Sequence, residues 1–260
     1  MTSRAEPTVS KEYVESQGRR RLFLRSWRPD GMRAVVAFVH EPGSDGARYE
    51  GIARTLAMQD IASYAVDLDR WSGSPVSRVR EPTLARYLAD IRTMMACVRQ
   101  RHPTRPLYGF GHGTGALAVC CHALLHPTEL DGIIGEAIIL DPPWRAAIFR
   151  QCPRLGPVFR VPRMALVRAD RRLRMAVGAL FLPLLLLHGS EDVMAPPSGS
   201  EYLHRYAGSG DKTLQMFEDC DHDLINGRCY ALVREKVCQW IEGQLGAGAR
   251  RRIGIEYINE

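Results

Sequence analysis

The chain has 260 residues, of which 45% are hydrophobic and 25% charged, enough for one α/β domain with a sizeable core and outside the composition of fibrous or disordered chains. Its net charge of +6 is concentrated: nine arginines and a single acid, Asp170, lie between Arg145 and Arg174, so that segment carries +8 and the rest is near −2. A basic patch of this kind points to a local anionic partner, and without an aromatic-basic platform or a recognised motif it does not point to nucleic acid.

In chain order, residues 1–20 contain no apolar h-region of a secretory signal and read as an N-terminal extension. Arg21 to Trp27 alternates like an early strand. Ala34 to His40 (AVVAFVH) is the continuous apolar run of a strand buried on both faces. Ala47 to Met58 has helical spacing, and Ile61 to Leu68 returns to strand. Thr83 to Arg101 is an amphipathic helix, because Leu84, Leu88, Ile91, Met95 and Val98 recur every three or four residues. Leu107 to Phe110 reads as a strand and Ala116 to Leu125 as a helix; Ile133 to Leu140 and Leu184 to Leu187 are further buried strands. Thr213 to Phe217 is the last strand, Tyr230 to Leu245 a closing helix, and 246–260 a frayed or draped tail.

Strand and helix thus alternate, which predicts a mostly parallel central sheet with helices on both faces. The core spans 21–141 and 179–245. Residues 142–178, rich in arginine and broken by Pro143, Pro153, Pro157 and Pro162, form a short cap inserted after the sixth strand. The seven cysteines show no CxxC pair, so the expectation is reduced thiols in a cytoplasmic protein with no structural metal and no cofactor. The longest greasy run, Ala176 to Leu187, contains Pro183 and is too short to span a bilayer, so no integral membrane association is expected.

Three segments carry the chemistry. A strand runs into Gly111-His112-Gly113-Thr114-Gly115 and then a helix, the pattern of a nucleophile elbow. Leu187-His188-Gly189-Ser190-Glu191-Asp192 puts a carboxylate just past a buried strand, and Cys220-Asp221-His222-Asp223 puts an imidazole before the last helix. Asp192 and His222 therefore follow the elbow in the order of the orienting acid and general base of a Ser-His-Asp triad.

On these segments, with the stretch His40 to Tyr49 and Asp67-Leu68 with Gly73-Ser74, the chain resembles the monoacylglycerol lipase and lysophospholipase branch of the α/β-hydrolases, the serine aminopeptidase-like group. The resemblance runs from about Leu22 to Leu245 and implies the α/β-hydrolase fold. In such lipases the elbow reads Gly-His-Ser-Met-Gly, so the nucleophile maps onto Gly113, which has no side chain to attack with. A His-Gly-x-Gly turn supplies an oxyanion donor from x; here the turn is His40-Glu41-Pro42-Gly43, and Pro42 has no N–H to give. Where the family has Arg-Gly-His-Gly, this chain has Asp69-Arg70-Trp71-Ser72.

The remaining candidates follow. Thr114 N–H is the surviving oxyanion or anion donor; its hydroxyl is a weak candidate for a shifted nucleophile, and Cys120 and Cys121 read as core. Glu41 stands where the family has glycine: either it faces solvent, or it enters the pocket, where burial would raise its pKa and make it a general acid opposite the base His222. Asp45 and Asp69 are lesser candidates of that kind. His40, Pro42, His112, Trp71 and Trp144 form the expected pocket rim, with His112 as packing beside the turn. The cap maps onto the lipase lid, which shapes an acyl channel in those relatives; here its apolar side chains, Trp144 and Phe149 among them, are expected to serve the same use. The implied partner is a small apolar or acyl-like molecule, anionic or carried on an acidic protein. Three functional readings stand: an acid/base enzyme using the His222–Asp192 dyad without an acyl-enzyme (a cyclase, lyase, dehydratase or water-activating hydrolase), an inactive hydrolase-like binding or regulatory protein, and an esterase or lipase, including an engineered Ser-to-Gly variant.

Overall fold

The structure, a computed structural model, describes residues 6–16, 20–41, 44–67, 84–140 and 163–256. Strand β3 (Ala34–Val39) shows why the sheet is central. All six of its residues are buried, and the two-residue period sends Val35, Ala37 and Val39 to one face and Ala34, Val36 and Phe38 to the other. Around it lie β1 (Thr8–Ser16), β2 (Arg20–Arg28), β4 (Ile61–Asp67), β5 (Leu107–His112), β6 (Gly132–Glu136), β7 (Leu184–Gly189) and β8 (Lys212–Phe217). Their order in the sheet is β1-β2-β4-β3-β5-β6-β7-β8, with β1–β2 and β2–β4 antiparallel and every other pair parallel.

The helices cover both faces. On one, α2 (Leu84–Arg101), α3 (Thr114–Leu125), α4 (Arg163–Ala176) and α5 (Ser198–Tyr206) pack Ile91, Met94, Leu117, Leu173 and Leu203 into a single cluster. On the other, α1 (Glu50–Ala57) and α6 (Tyr230–Glu256) contribute Ile52, Leu56, Val237 and Ile241. This is the α/β-hydrolase fold, with the long connection of residues 137–183 inserted after the sixth strand.

Several details differ from the sequence expectation. Residues 8–16, set aside as part of an extension, pair along their full length with β2 from Thr8↔Arg28 to Ser16↔Arg20. The strand expected from Ile133 to Leu140 ends at Glu136, because Ala137 turns to a φ of 49° and donates its N–H to Leu187. The closing helix continues past Leu245 to Glu256, where a frayed or draped tail was expected. Helix α5 was not foreseen. Of the cap, residues 142–162, including Trp144, fall outside the described residues, whereas 163–176 form α4, with Ala169 and Leu173 buried and Arg168, Arg171 and Arg172 exposed.

Candidate active site

The parallel strands aim their C-terminal ends at one edge, and four of those ends supply the polar residues of a single site. Between β5 and α3 the chain turns at Gly113, with φ 55° and ψ −117°, a conformation that L side chains rarely adopt. Gly113 donates its N–H to the Glu136 carbonyl at 2.9 Å. A Cβ on Gly115 would run into the carbonyl oxygen of Val39, so the start of α3 lies directly against the end of β3. Thr114 opens the helix, where the first N–H groups have no intrahelical acceptor and the helix dipole favours negative charge.

Asp192 lies in the turn after β7. Its Oδ1 accepts the N–H groups of Met194 and Ala195, both at 2.8 Å, and its Oδ2 faces His222 Nδ1 at 2.7 Å and His188 Nε2 at 3.3 Å. Burial works against charge on Asp192, but the hydrogen bonds to His188 and His222 outweigh it and hold the carboxyl well below the usual range. His222 comes from the loop after β8. Cys220 and Cys229, expected as reduced thiols, are joined across this loop as a disulfide with Cα atoms 6.4 Å apart. No CxxC motif announces such a pair, because it is the folding of the loop that brings the two sulfurs together.

Glu41 follows β3 and turns inward; only 12% of its side chain is exposed, so it is not a solvent-facing glutamate. Its Oε2 is 3.4 Å from His222 Nε2 and its Oε1 is 3.4 Å from His112 Nε2. A Cβ built on Gly113 would lie 2.6 Å from Glu41 Oε2 and 3.4 Å from His222 Nε2. The carboxylate therefore fills the space that any side chain at position 113 would enter. The backbone behind it is pinned, since His40 Nδ1 donates to the Glu41 carbonyl at 2.8 Å and Tyr87 Oη donates to the His40 carbonyl at 2.5 Å.

The expected sign of the Glu41 shift is overturned. Burial does push its pKa up, but the His112 and His222 imidazoles more than reverse this and hold it below the ordinary carboxylate range. Burial likewise pulls His222 down, yet hydrogen bonds to Asp192 and Glu41 raise it to about 10. At neutral pH the pair is an imidazolium between two carboxylates, so a Glu41 acid opposite a His222 base is not the resting state.

His112 is more than packing. It pairs with Glu136 in the β5–β6 register, its Nδ1 lies 3.1 Å from Glu136 Oε2, and its ring centroid is 4.6 Å from that of His222. Glu136 Oε1 accepts the Ile225 N–H at 3.0 Å, which ties this strand to the His222 loop. A cavity of about 380 Å³ opens over the network, lined by Glu41, His112, His222, Arg48, Asp221, Asp223 and the apolar Val193 and Met194. Arg48 binds Asp223 at 2.8 Å.

The structure thus brings together Glu41, His112, Asp192 and His222 beside Gly113 and Thr114, with His40 buried behind. Asp45 is instead a turn cap, accepting the Ala47 N–H at 2.7 Å, and Cys120 and Cys121 are buried in α3. Pro42, Asp69 and Trp71 lie outside the described residues, as Trp144 does. Sequence reasoning missed Glu136, His188 and Arg48. The β5–β6 register was the only signal for the first, and nothing in spacing marked the other two.

A sequence profile described as "Hydrolase_4: Serine aminopeptidase, S33" matches residues 30–162 and 162–228. The monoacylglycerol lipase of Mycolicibacterium smegmatis is 25% identical over 276 residues, covering 92% of this chain and 99% of that protein. The human monoglyceride lipase is 25% identical over 242 residues, 78% of this chain and 80% of that protein. Among solved structures, the Paleococcus ferrophilus monoacylglycerol lipase superposes with a TM-score of 0.68 at 18% identity, covering 91% and 99% of the two chains. A soluble variant of the Saccharomyces cerevisiae monoglyceride lipase gives 0.74 at 15%, covering 91% and 95%.

Proposed function

The chain belongs to the serine aminopeptidase S33 family and is an α/β-hydrolase of the monoacylglycerol lipase type; on that premise we propose that it activates water against a small apolar or acyl-like ester without forming an acyl-enzyme on serine. One observation carries the reading. The turn on which this fold holds its nucleophile carries Gly113, and the Glu41 carboxylate lies in the space a side chain there would take, within 3.4 Å of His222 Nε2.

The roles follow from the charges. Glu41, anionic, takes a proton from water as the water oxygen attacks the ester carbonyl carbon. The negative charge that develops on the carbonyl oxygen is met by the Thr114 N–H and the N-terminus of α3. The ester C–O bond then breaks, and the leaving alkoxide takes the proton of the His222 imidazolium. Glu41 returns its proton to His222 across their contact, and Asp192 keeps the imidazole oriented throughout. Val193 and Met194 offer apolar surface to an acyl chain. The exposed arginines of α4 suit an anionic partner.

The reading of an inactive binding protein is favoured by the ion pair itself, because a base held this far below its ordinary pKa is weak. Hydrolysis of a panel of short- and long-chain monoacyl esters by the unaltered protein beside His222→Ala separates the two. Turnover that falls about 10²–10⁴-fold in the variant fits the loss of one acid/base group. An absence of turnover in both proteins would sink the hydrolase reading.

A further inference from the structure

We propose that Glu41, His112 and His222 form a binding site for one divalent first-row transition ion, zinc foremost. Its use in catalysis rests on the water-activating reading above; the binding itself does not.

The first support is convergence. One ligand atom from each residue falls within 4.8 Å of the others, although the residues come from the ends of β3 and β5 and the loop after β8. Each imidazole nitrogen lies 3.4 Å from a Glu41 oxygen. That is long for a charge-assisted hydrogen bond, which closes to about 2.7–2.9 Å. The two distances run to the two different Glu41 oxygens, so the carboxylate spans both imidazoles, and an ion bound at roughly 2.1 Å would draw the three ligands together from within 4.8 Å to about 3.4 Å.

The second support is what stands behind the ligands. Both histidines turn Nε2 toward Glu41 and Nδ1 toward a different buried carboxylate. His222 Nδ1 meets Asp192 Oδ2 at 2.7 Å, and His112 Nδ1 meets Glu136 Oε2 at 3.1 Å, the latter off the line of a proper hydrogen bond. A carboxylate behind each imidazole fixes its tautomer and raises its basicity as a ligand, the arrangement metal-binding histidines use. The Asp192 and Glu136 side chains are fully buried, so both rings are held on a rigid base.

The third support is charge. Three carboxylates, Glu41, Glu136 and Asp192, converge on two buried imidazoles, and their own side chains are at most 12% exposed. Buried anions require compensating cations; in the resting network the imidazolium of His222 is one, and a divalent ion at the common focus would displace the Nε2 proton and take its place. Arg48, the guanidinium lining the same cavity, is already engaged by Asp223.

The donor set names the ion. Two imidazoles and one carboxylate are the ligands of a catalytic zinc with its fourth position open, and all three residues line the open cavity. Calcium and magnesium prefer all-oxygen shells, and among the described residues no thiol joins the cluster to select copper(I). The sequence expectation of no structural metal rested on the missing CxxC pairs, and this donor set contains no cysteine and spreads over positions 41, 112 and 222.

The test is calorimetric titration of zinc into the full chain after chelator treatment, beside Glu41→Gln, with cobalt(II) absorption as a readout that needs no variant. One zinc per chain is expected, weakened more than about 100-fold in Glu41→Gln, together with the visible bands of four- or five-coordinate cobalt carrying imidazole ligands. No saturable zinc, equal affinity in Glu41→Gln, or an octahedral aqua-like cobalt spectrum would overturn the site. Ester turnover by the metal-free protein, undiminished by chelator and without zinc binding, would remove the ion and leave the water-activating reading standing. Stoichiometric zinc in a protein that turns over no ester would support the site and remove that reading.

Discussion

The two halves of the site are built on different terms. The half from β7 and the loop after β8 is made of short, fully satisfied contacts: Asp192 holds two backbone N–H groups at 2.8 Å and His222 at 2.7 Å, with His188 behind. The half from β3 and β5 has no side chain at its sharpest turn, and a carboxylate that arrives from another strand to fill the gap at longer range. The first half can be read as an acid and a base of the fold's ordinary machinery. The second reads as a pair, because the end of the Glu41 side chain occupies the space that a Cβ at position 113 would enter. Two residues 72 positions apart in sequence thus act as one structural unit.

Breaking the satisfied half should have the larger effect. In Asp192→Asn one of the two anions that raise His222 is gone, the imidazole loses its fixed orientation, and the rate of ester turnover is expected to fall by up to about 10⁴-fold. Steady-state kinetics on the most reactive ester checks this; a loss under 10-fold would mean that the pair is structural.

The Cys220–Cys229 disulfide closes the loop that presents His222, and the chain-entropy account gives such a short loop about 2–3 kcal/mol. Cys220→Ser should lower stability to urea by that amount. Alkylation of the denatured, unreduced protein should label Cys97, Cys120, Cys121 and Cys238 but neither Cys220 nor Cys229, and labelling of both would show the loop to be open.

The other half is probed by filling it. Gly113→Ser places a Cβ at a positive φ and 2.6 Å from Glu41 Oε2, so a stability loss of about 1–3 kcal/mol is expected. That serine should also stay unreactive toward a fluorophosphonate, because a carboxylate crowds it. Adding Glu41→Gly should restore part of the stability and make the serine reactive beside His222. If the single variant is as stable as the unaltered protein, the two positions are independent.

What the sequence made legible follows physical period and chain order. The stripe Ile91, Met95 and Val98 is buried on α2 as its spacing required, and Asp192 and His222 meet as their order past the elbow suggested. Strand β1 was not legible, because most of its residues are exposed or half-exposed and it earns its place by pairing with β2, a long-range contact. Glu136 was hidden for a related reason: only the register of β5 on β6 sets it beside His112. Glu41 was legible as a pocket residue, but the sign of its shift was not, since burial was visible in the sequence and the two imidazoles that outweigh it were not.

The central claim is that Glu41 activates a water molecule where a serine attacks directly elsewhere in this fold. Its most direct test is ester hydrolysis by the unaltered protein before and after a serine-directed fluorophosphonate, beside Glu41→Gln. Turnover should survive the fluorophosphonate unchanged and fall about 10²–10⁴-fold in the variant. Turnover abolished by the fluorophosphonate, or equal in Glu41→Gln, would contradict the account.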